Sequence, residues 1–217
     1  MTKKIFSYVL PQKIKEGVTS LGQHYEINFE NGVKVLNSEN TNYSFGSLHQ
    51  IMQKGIDEVL KTHQPKKILM LGLGAGSALH ILNKKCKWDF EVVVVELDGD
   101  LIDIAKEEFE LNKYNNVEIL HNNAELAVSE LNAKSFDLVI DDVFWDNQVP
   151  AFCLSEAYLQ NCSSLLRSEG VYMRNIMADA SFKFKTYEAQ LKKNFNKVNS
   201  MLHAVYGNKI YFCQNTK

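Results

Sequence analysis

KKILMLGLGAGSALHIL, residues 66–82, holds the transition that decides the fold. Residues 67–71 form a short apolar run that reads as a buried strand, and from Ser77 onward apolar residues recur with helical spacing. Between the two stand Gly72, Gly74 and Gly76, at alternate positions. Glycine lets the main chain take up positive φ and approach a ligand closely, and the start of a helix offers free N–H groups. The stretch therefore reads as a turn that cradles a ligand.

Strand-then-helix repeats from there outward. EVVVVEL (91–97), VEIL (117–120), FDLVID (136–141) and GVYMRN (170–175) are expected strands. Helices are expected on the face Leu48/Met52/Ile56/Leu60, over 77–84, on Leu101/Ala105/Phe109, on Ala124/Ala127/Val128/Leu131, over 155–166, and on Phe184/Tyr187/Leu191/Phe195. Apolar strands alternating with helices make a parallel sheet covered on both faces. The two last strand-like runs, KVNSMLHAVY and KIYFCQN, are joined through Gly207-Asn208, too short for a crossover, so they must pair antiparallel. The predicted class is α/β: a doubly wound seven-stranded sheet in which only the last strand, about 209–214, is antiparallel. That is the pattern of the Rossmann-like S-adenosylmethionine-dependent methyltransferase fold, whereas nicotinamide-binding domains usually stay parallel throughout. Ahead of it, HYEINFENGVKVLN (24–37) alternates Ile27/Phe29 and Val33/Val35 around Asn31-Gly32, a β-hairpin signal. The expected organisation is a short N-terminal β-element over 1–46 and a cofactor-binding domain over 47–217.

Composition narrows the function classes. The 217 residues are 45% hydrophobic, enough for one sizeable core. A net charge of −2 and a pI near 6.3 give no electrostatic footprint for nucleic acid. No apolar run approaches the ~20 residues of a membrane span, and MTKKIFSYVLPQK does not read as a signal peptide. Cys86, Cys153, Cys162 and Cys213 have no C-x-x-C spacing and the histidines no metal-ligand spacing, so no metal is expected and the thiols read as reduced. The expectation is a cytoplasmic protein.

The ligand can be read from what flanks the glycines. The run is G-x-G-x-G with Ser77 where the dinucleotide fingerprint has its last Gly or Ala. Glu96 ends the second strand twenty residues beyond Gly76, where an acid accepts from ribose hydroxyls. Asp98 reads either as a cofactor contact or as the N-cap of the next helix. Asn123, after the third strand, reads either as a cap or as an acceptor for an adenine amino group. The fourth strand runs into DDVFWDNQVP (141–150), with Asp141, Asp142, Asp146, Phe144 and Trp145. Carboxylates and aromatic faces suit an ammonium with its alkyl chain, and a carboxylate that takes the ammonium proton is the minimal catalyst. A solvated turn with Trp145 packed on the sheet edge is the plainer alternative. Asp141 and Asp142 are adjacent in a strand, so only one should face the ligand and Asp141 should be silent. Tyr43 and His49, in NYSFGSLHQ, sit where the β-element meets the first helix.

MLGLGAGS, VVVVELDGDLIDIAKEEF and FDLVIDDVFWDNQVPAFCLSEAYLQNCSSLLRSEGVYMRN together resemble the spermidine/spermine synthase family, chiefly its divergent short members, over about residues 25–176. The most specific part is D-x-F-x-x-x-x-V-P beginning at Asp142. The resemblance implies transfer of an aminopropyl group from decarboxylated S-adenosylmethionine to a polyamine. It implies that Glu96 holds ribose, that Asn123 lies at adenine, and that Asp142 activates the amine. Tyr43 and His49 reproduce the Tyr and His spacing of the family's Y-[HQ]-E-x-x-x-H segment, which implies a catalytic and a cofactor-side role. Gly72, Gly74, Gly76 and Asp98 join the cofactor set, and Trp145 and Asp146 the substrate set. The chain departs from the family at Ser44 and Phe45, in the loss of the D-[ST]-[ST]-D-P loop, and in a shortened N-terminal β-domain. The expected cofactor is S-adenosylmethionine or its decarboxylated form, and the expected partner a small-molecule amine, with a homodimer left open. Two alternatives stand beside this reading: methylation of a small molecule, and a non-catalytic binding protein that retains the fold. No N-P-P-[YF] loop follows strand four, and Arg174-Asn175 replaces the Asp-Asn pair of magnesium-dependent O-methylation.

Overall fold

The computed structural model describes residues 2–39, 42–44, 46–177, 182–202 and 208–215, with only the main chain at 42–44 and 46–48. A helical turn, α1 (Thr2–Phe6), leads into an antiparallel sheet of β1 (Gln12–Val18), β2 (His24–Glu30), β3 (Val33–Ser38) and β4 (Asn42–Ser44), in that order. Asn31 and Gly32 both have positive φ, 49° and 78°, as a two-residue hairpin turn requires. Ile27 and Leu36 face each other across β2 and β3, fully buried, and pack on Ala75, Leu101 and Ile104. The expected alternation holds only in the middle of this small sheet. Val33 is 50% exposed and Leu36 is buried in its stead. β1 carries no sequence signal, because its edge position leaves most of QKIKEGV in solvent.

The remaining elements are α2 (Gly46–Leu60), β5 (Lys67–Leu71), α3 (Ser77–Lys85), β6 (Glu91–Glu96), α4 (Gly99–Glu108), β7 (Val117–His121), α5 (Ala124–Glu130), β8 (Phe136–Asp141), α6 (Glu156–Leu165), β9 (Leu166–Ile176), α7 (Phe184–Asn194), β10 (Lys197–Leu202) and β11 (Lys209–Gln214). Seven strands form one sheet in the order β10-β11-β9-β8-β5-β6-β7. β5 to β9 run parallel, and β11 is antiparallel to both of its neighbours, β9 and β10. This is the doubly wound sheet with an inverted last strand that the Gly207-Asn208 connection predicts, although Gly207 itself lies outside the described residues.

Alternation along the strands builds a core on each face. Ile68 and Met70 of β5 join Val92, Val94, Leu138, Ile140 and Met173 in a cluster with residues of α2 and α3. Leu69 and Leu71 join Val139, Tyr172 and Tyr211 in a second cluster, with residues of α5, α6 and α7. Each such side chain, withdrawn wholly from water, contributes about 1.5–3 kcal/mol before the entropy of ordering is subtracted. Among the described residues no helix is long and apolar enough to cross a membrane.

Candidate active site

From β5 the chain winds outward through β6 to β7, then returns to the other side of β5 for β8 and β9. The loops after β5 and β8 therefore diverge from adjoining carboxyl ends, and a crevice opens between them. A cavity of about 300 Å³ lies there, with Leu21 and Gln23 of the β1–β2 connection forming one wall.

Gly72, Gly74 and Gly76 all have positive φ, at 85°, 54° and 85°. Gly72 and Gly74 line the cavity; Gly76 does not, and serves as the left-handed residue that opens α3. Gly72 is also a packing requirement. A Cβ there would stand 2.7 Å from the Asp142 carbonyl oxygen, so only glycine lets the two strand ends stay together. Gly72→Ala should lower stability by more than about 1 kcal/mol. Urea unfolding of the variant tests this, and an unchanged midpoint would show that the Asp142 main chain yields freely.

Opposite the glycines, Glu96 is buried, with the Leu73 N–H donating to Oε2 at 2.8 Å and the Asp98 N–H donating to Oε1 at 3.0 Å. Burial raises its carboxyl above the usual range, and those same N–H groups oppose the rise. The Leu97 N–H adds to these, and a carboxylate with about four acceptor sites still has capacity for a ligand hydroxyl. Asp98 unites both of its sequence readings. Its Oδ1 caps α4 by accepting from the Asp100 N–H at 3.0 Å, and its Oδ2 is buried without a hydrogen-bond partner. Asn123 likewise lines the cavity while its Oδ1 caps α5, accepting from the Glu125 N–H at 2.7 Å.

The fourth-strand loop separates its carboxylates. Asp142 lines the cavity, and its Oδ1 accepts from Asn175 Nδ2 at 2.9 Å. Asn175 Oδ1 in turn accepts from Asn208 Nδ2 at 3.1 Å. Burial pushes the Asp142 carboxyl up to about 7, against the lowering effects of the Asn175 hydrogen bond and the Arg174 charge. Asp141 points the other way, as adjacency requires, but it is not silent. It is fully buried, pairs with the guanidinium of the equally buried Arg174, and accepts from the Tyr172 hydroxyl at 2.6 Å. Arg174 also donates to the Val143 carbonyl at 3.3 Å and lies 5.7 Å from the centre of the Phe144 ring. Asp141 thus anchors the loop, which corrects its expected role as an inert neighbour.

Trp145 and Asp146 line the outer part of the cavity. The turn is tied by reciprocal main-chain bonds between Trp145 and Gln148 at 2.9 and 3.0 Å, and Ser38 Oγ donates to Asp146 Oδ1 at 2.6 Å. The small sheet therefore grips the loop. Trp145 is 45% exposed, so part of the solvated-turn reading holds too. His49 is not among the lining residues; its ring lies 6.1 Å from that of His80, and burial followed by the His80 charge lowers its pKa. Tyr43 is on β4, and its side chain lies outside the described residues. Sequence reasoning missed Asn175, Asn208, Leu21 and Gln23. Only Asn175, at the end of a strand, carried any signal, since carboxyl ends face ligands in such sheets. The four cysteines are buried, and burial raises each thiol, Cys86 to about 11, so none is an activated nucleophile.

Residues 62–216 match the family described as a methyltransferase domain. The chain belongs to that family. The methyltransferase-domain chain is 27% identical over 117 residues to the polyamine aminopropyltransferase of Vibrio vulnificus, which covers 52% of this chain and 38% of the relative. The match thus spans about two fifths of that relative's length. Among solved structures it is similar to a probable spermidine synthase from Corynebacterium glutamicum, with a TM-score of 0.78, 19% identity, and coverage of 94% of this chain and 80% of the other. It is also similar to human Methyltransferase-like protein 13 in complex with SAH, with a TM-score of 0.67, 22% identity, and coverage of 78% and 82%. The fold is a spermidine-synthase-like variant of the methyltransferase fold.

Proposed function

We propose that this methyltransferase-domain protein transfers an aminopropyl group from decarboxylated S-adenosylmethionine to a small amine. The observation that carries this reading is the charge of the cavity. Among its described lining residues the ionisable side chains are the carboxylates of Glu96, Asp98, Asp142 and Asp146, with no Lys, Arg or His. Such a site complements a sulfonium and an ammonium, and it disfavours a ligand that brings a carboxylate of its own. The residues fit the adenosyl part as well, because Asp98 offers a buried oxygen without a partner beside the remaining acceptor capacity of Glu96. When bound, the cofactor supplies an electrophilic carbon next to its sulfonium.

Glu96 and Asp98 would accept from the ribose hydroxyls, and Asn123 would lie at the adenine. Gly72 and Gly74 let the main chain come close. Trp145 and Asp146 would hold the acceptor's ammonium end and alkyl chain. Asp142, once ionised, would take the proton from the acceptor ammonium, so that the nitrogen lone pair is free to form the new C–N bond as the carbon's bond to sulfur breaks and the neutral thioether, methylthioadenosine, leaves. The polyamine aminopropyltransferase of Vibrio vulnificus supports this reading, and the methyltransferase-domain match supports a second one, methyl transfer to a small molecule with the same adenosyl contacts.

Calorimetric titration separates the two. Decarboxylated S-adenosylmethionine is expected to bind about tenfold or more tightly than S-adenosylmethionine, a difference of about 1.4 kcal/mol or more. Glu96→Ala should weaken both by about ten- to a hundredfold. Equal or tighter binding of S-adenosylmethionine would overturn the aminopropyl reading in favour of methyl transfer.

A further inference from the structure

We infer that Asn175 and Asn208 form a positioning relay that orients the carboxylate of Asp142 toward the acceptor amine, an inference that rests on the proton-accepting role proposed above for Asp142. The geometry is a chain of two amides ending on one carboxylate oxygen. Asn208 Nδ2 donates to Asn175 Oδ1 at 3.1 Å, and Asn175 Nδ2 donates to Asp142 Oδ1 at 2.9 Å. Asn175 and Asn208 are 1% and 3% exposed, so their amides have no bulk water as an alternative partner.

An amide is directional. It can present an N–H₂ or a carbonyl oxygen to its neighbour, and the two differ by a rotation that conserves shape. A carbonyl oxygen turned toward Asp142 would repel the carboxylate. Asn208 prevents this, because its N–H₂ engages the Asn175 oxygen and leaves the Asn175 N–H₂ to face Asp142. The register of the sheet holds the relay, since Asn175 of β9 lies opposite Ile210 of β11, two residues beyond Asn208. With Oδ1 engaged, Oδ2 is the oxygen left for the proton of the acceptor.

The relay also acts against the surroundings of Asp142. Glu96, Asp98 and Asp146 line the same cavity, and the charge of Asp141, next in the chain, disfavours a negative charge on Asp142. Arg174 is the nearby cation, and it is paired with Asp141. The Asn175 hydrogen bond lowers the Asp142 pKa against the dominant effect of burial, which keeps the base ionisable near neutrality.

The test reads Asp142 itself and needs no substrate. Protein with carbon-13 in the aspartate carboxyls is titrated by NMR, the Asp142 signal being the one absent from Asp142→Asn. Asn175→Ala is expected to raise the midpoint by about one to two pH units. Asn208→Ala, which leaves the hydrogen bond possible but unoriented, should give a smaller rise in the same direction. If Asn175→Ala does not fold, Asn208→Ala carries the test. A folded Asn208→Ala protein with an unchanged Asp142 midpoint would overturn the relay even if the parent turns over amines. Shifted midpoints in a protein that accepts no amine would leave the relay standing and remove the proposed reaction instead.

Discussion

Asp142→Asn is expected to cut turnover with any accepted amine by about a hundredfold or more, while cofactor affinity stays nearly unchanged. The substitution keeps size, and its carbonyl oxygen still accepts from Asn175. It removes only the ability to take a proton. In the parent, activity should rise with pH through the Asp142 midpoint near 7, because the ionised form is the base. The variant's residual rate should lack that limb. Stability should move in the opposite sense. The folded carboxyl is raised from 3.8 to about 7, so the stabilisation linked to its proton is complete below about 4 and is lost as pH rises through 7. Asp142→Asn should lack that loss, and so should gain on the parent in denaturant midpoint between about pH 4 and 7. Equal turnover in variant and parent would remove Asp142 from the chemistry.

The largest effect on stability is expected at Arg174. It sits directly across from Asp141 in the β8–β9 ladder, and both side chains have no exposure. Arg174→Met strands a buried carboxylate and should cost about 3–5 kcal/mol by denaturant unfolding. Because Arg174 also donates to the Val143 carbonyl, the variant should lose ligand affinity as the loop loosens. The double variant Arg174→Met/Asp141→Leu should recover much of the stability, since it removes both charges and leaves packed apolar volume. A single variant within about 1 kcal/mol of the parent would show that the pair contributes little to holding the loop.

Why these two neighbours differ so sharply bears on how much can be read from the chain alone. Strand β5, its glycines and Glu96 were legible because their signals are local: an apolar run, alternate glycines, an acid at a strand end. Asn31-Gly32 was legible for the same reason, as turn chemistry needs no partner. Asp141 was not, because its role depends on Arg174, which reaches it only through the register of two strands separated by a helix. Asn175 and Asn208 were hidden in the same way. The separations from Asp142 to Asn175 and from Asn175 to Asn208 are 33 residues each, and nothing near any of the three announces the other two. β1 escaped because an exposed edge strand needs no apolar pattern. Asp98 and Asn123 were each read as a choice between cap and contact, and the structure shows caps that also line the cavity, since a carboxylate or amide has more than one polar atom to offer.

The inverted strand β11, wedged between β9 and β10, has a consequence for the order in which the protein matures on the ribosome. β5, β6 and β7 and the glycine turn are synthesised well before it, and with them come Glu96, Asp98 and Asn123. Asn208 emerges only with β11, and until then β9 presents an open edge of unpaired main-chain groups. Synthesis at ~5–20 residues per second separates these events in time. The nascent chain should become able to hold an adenosyl ligand before Asp142 is oriented to act on anything. Ribosome-arrested chains ending ahead of residue 208 would show this as ligand cross-linking without turnover: the pocket learns to hold its reagent before it is trusted to use it.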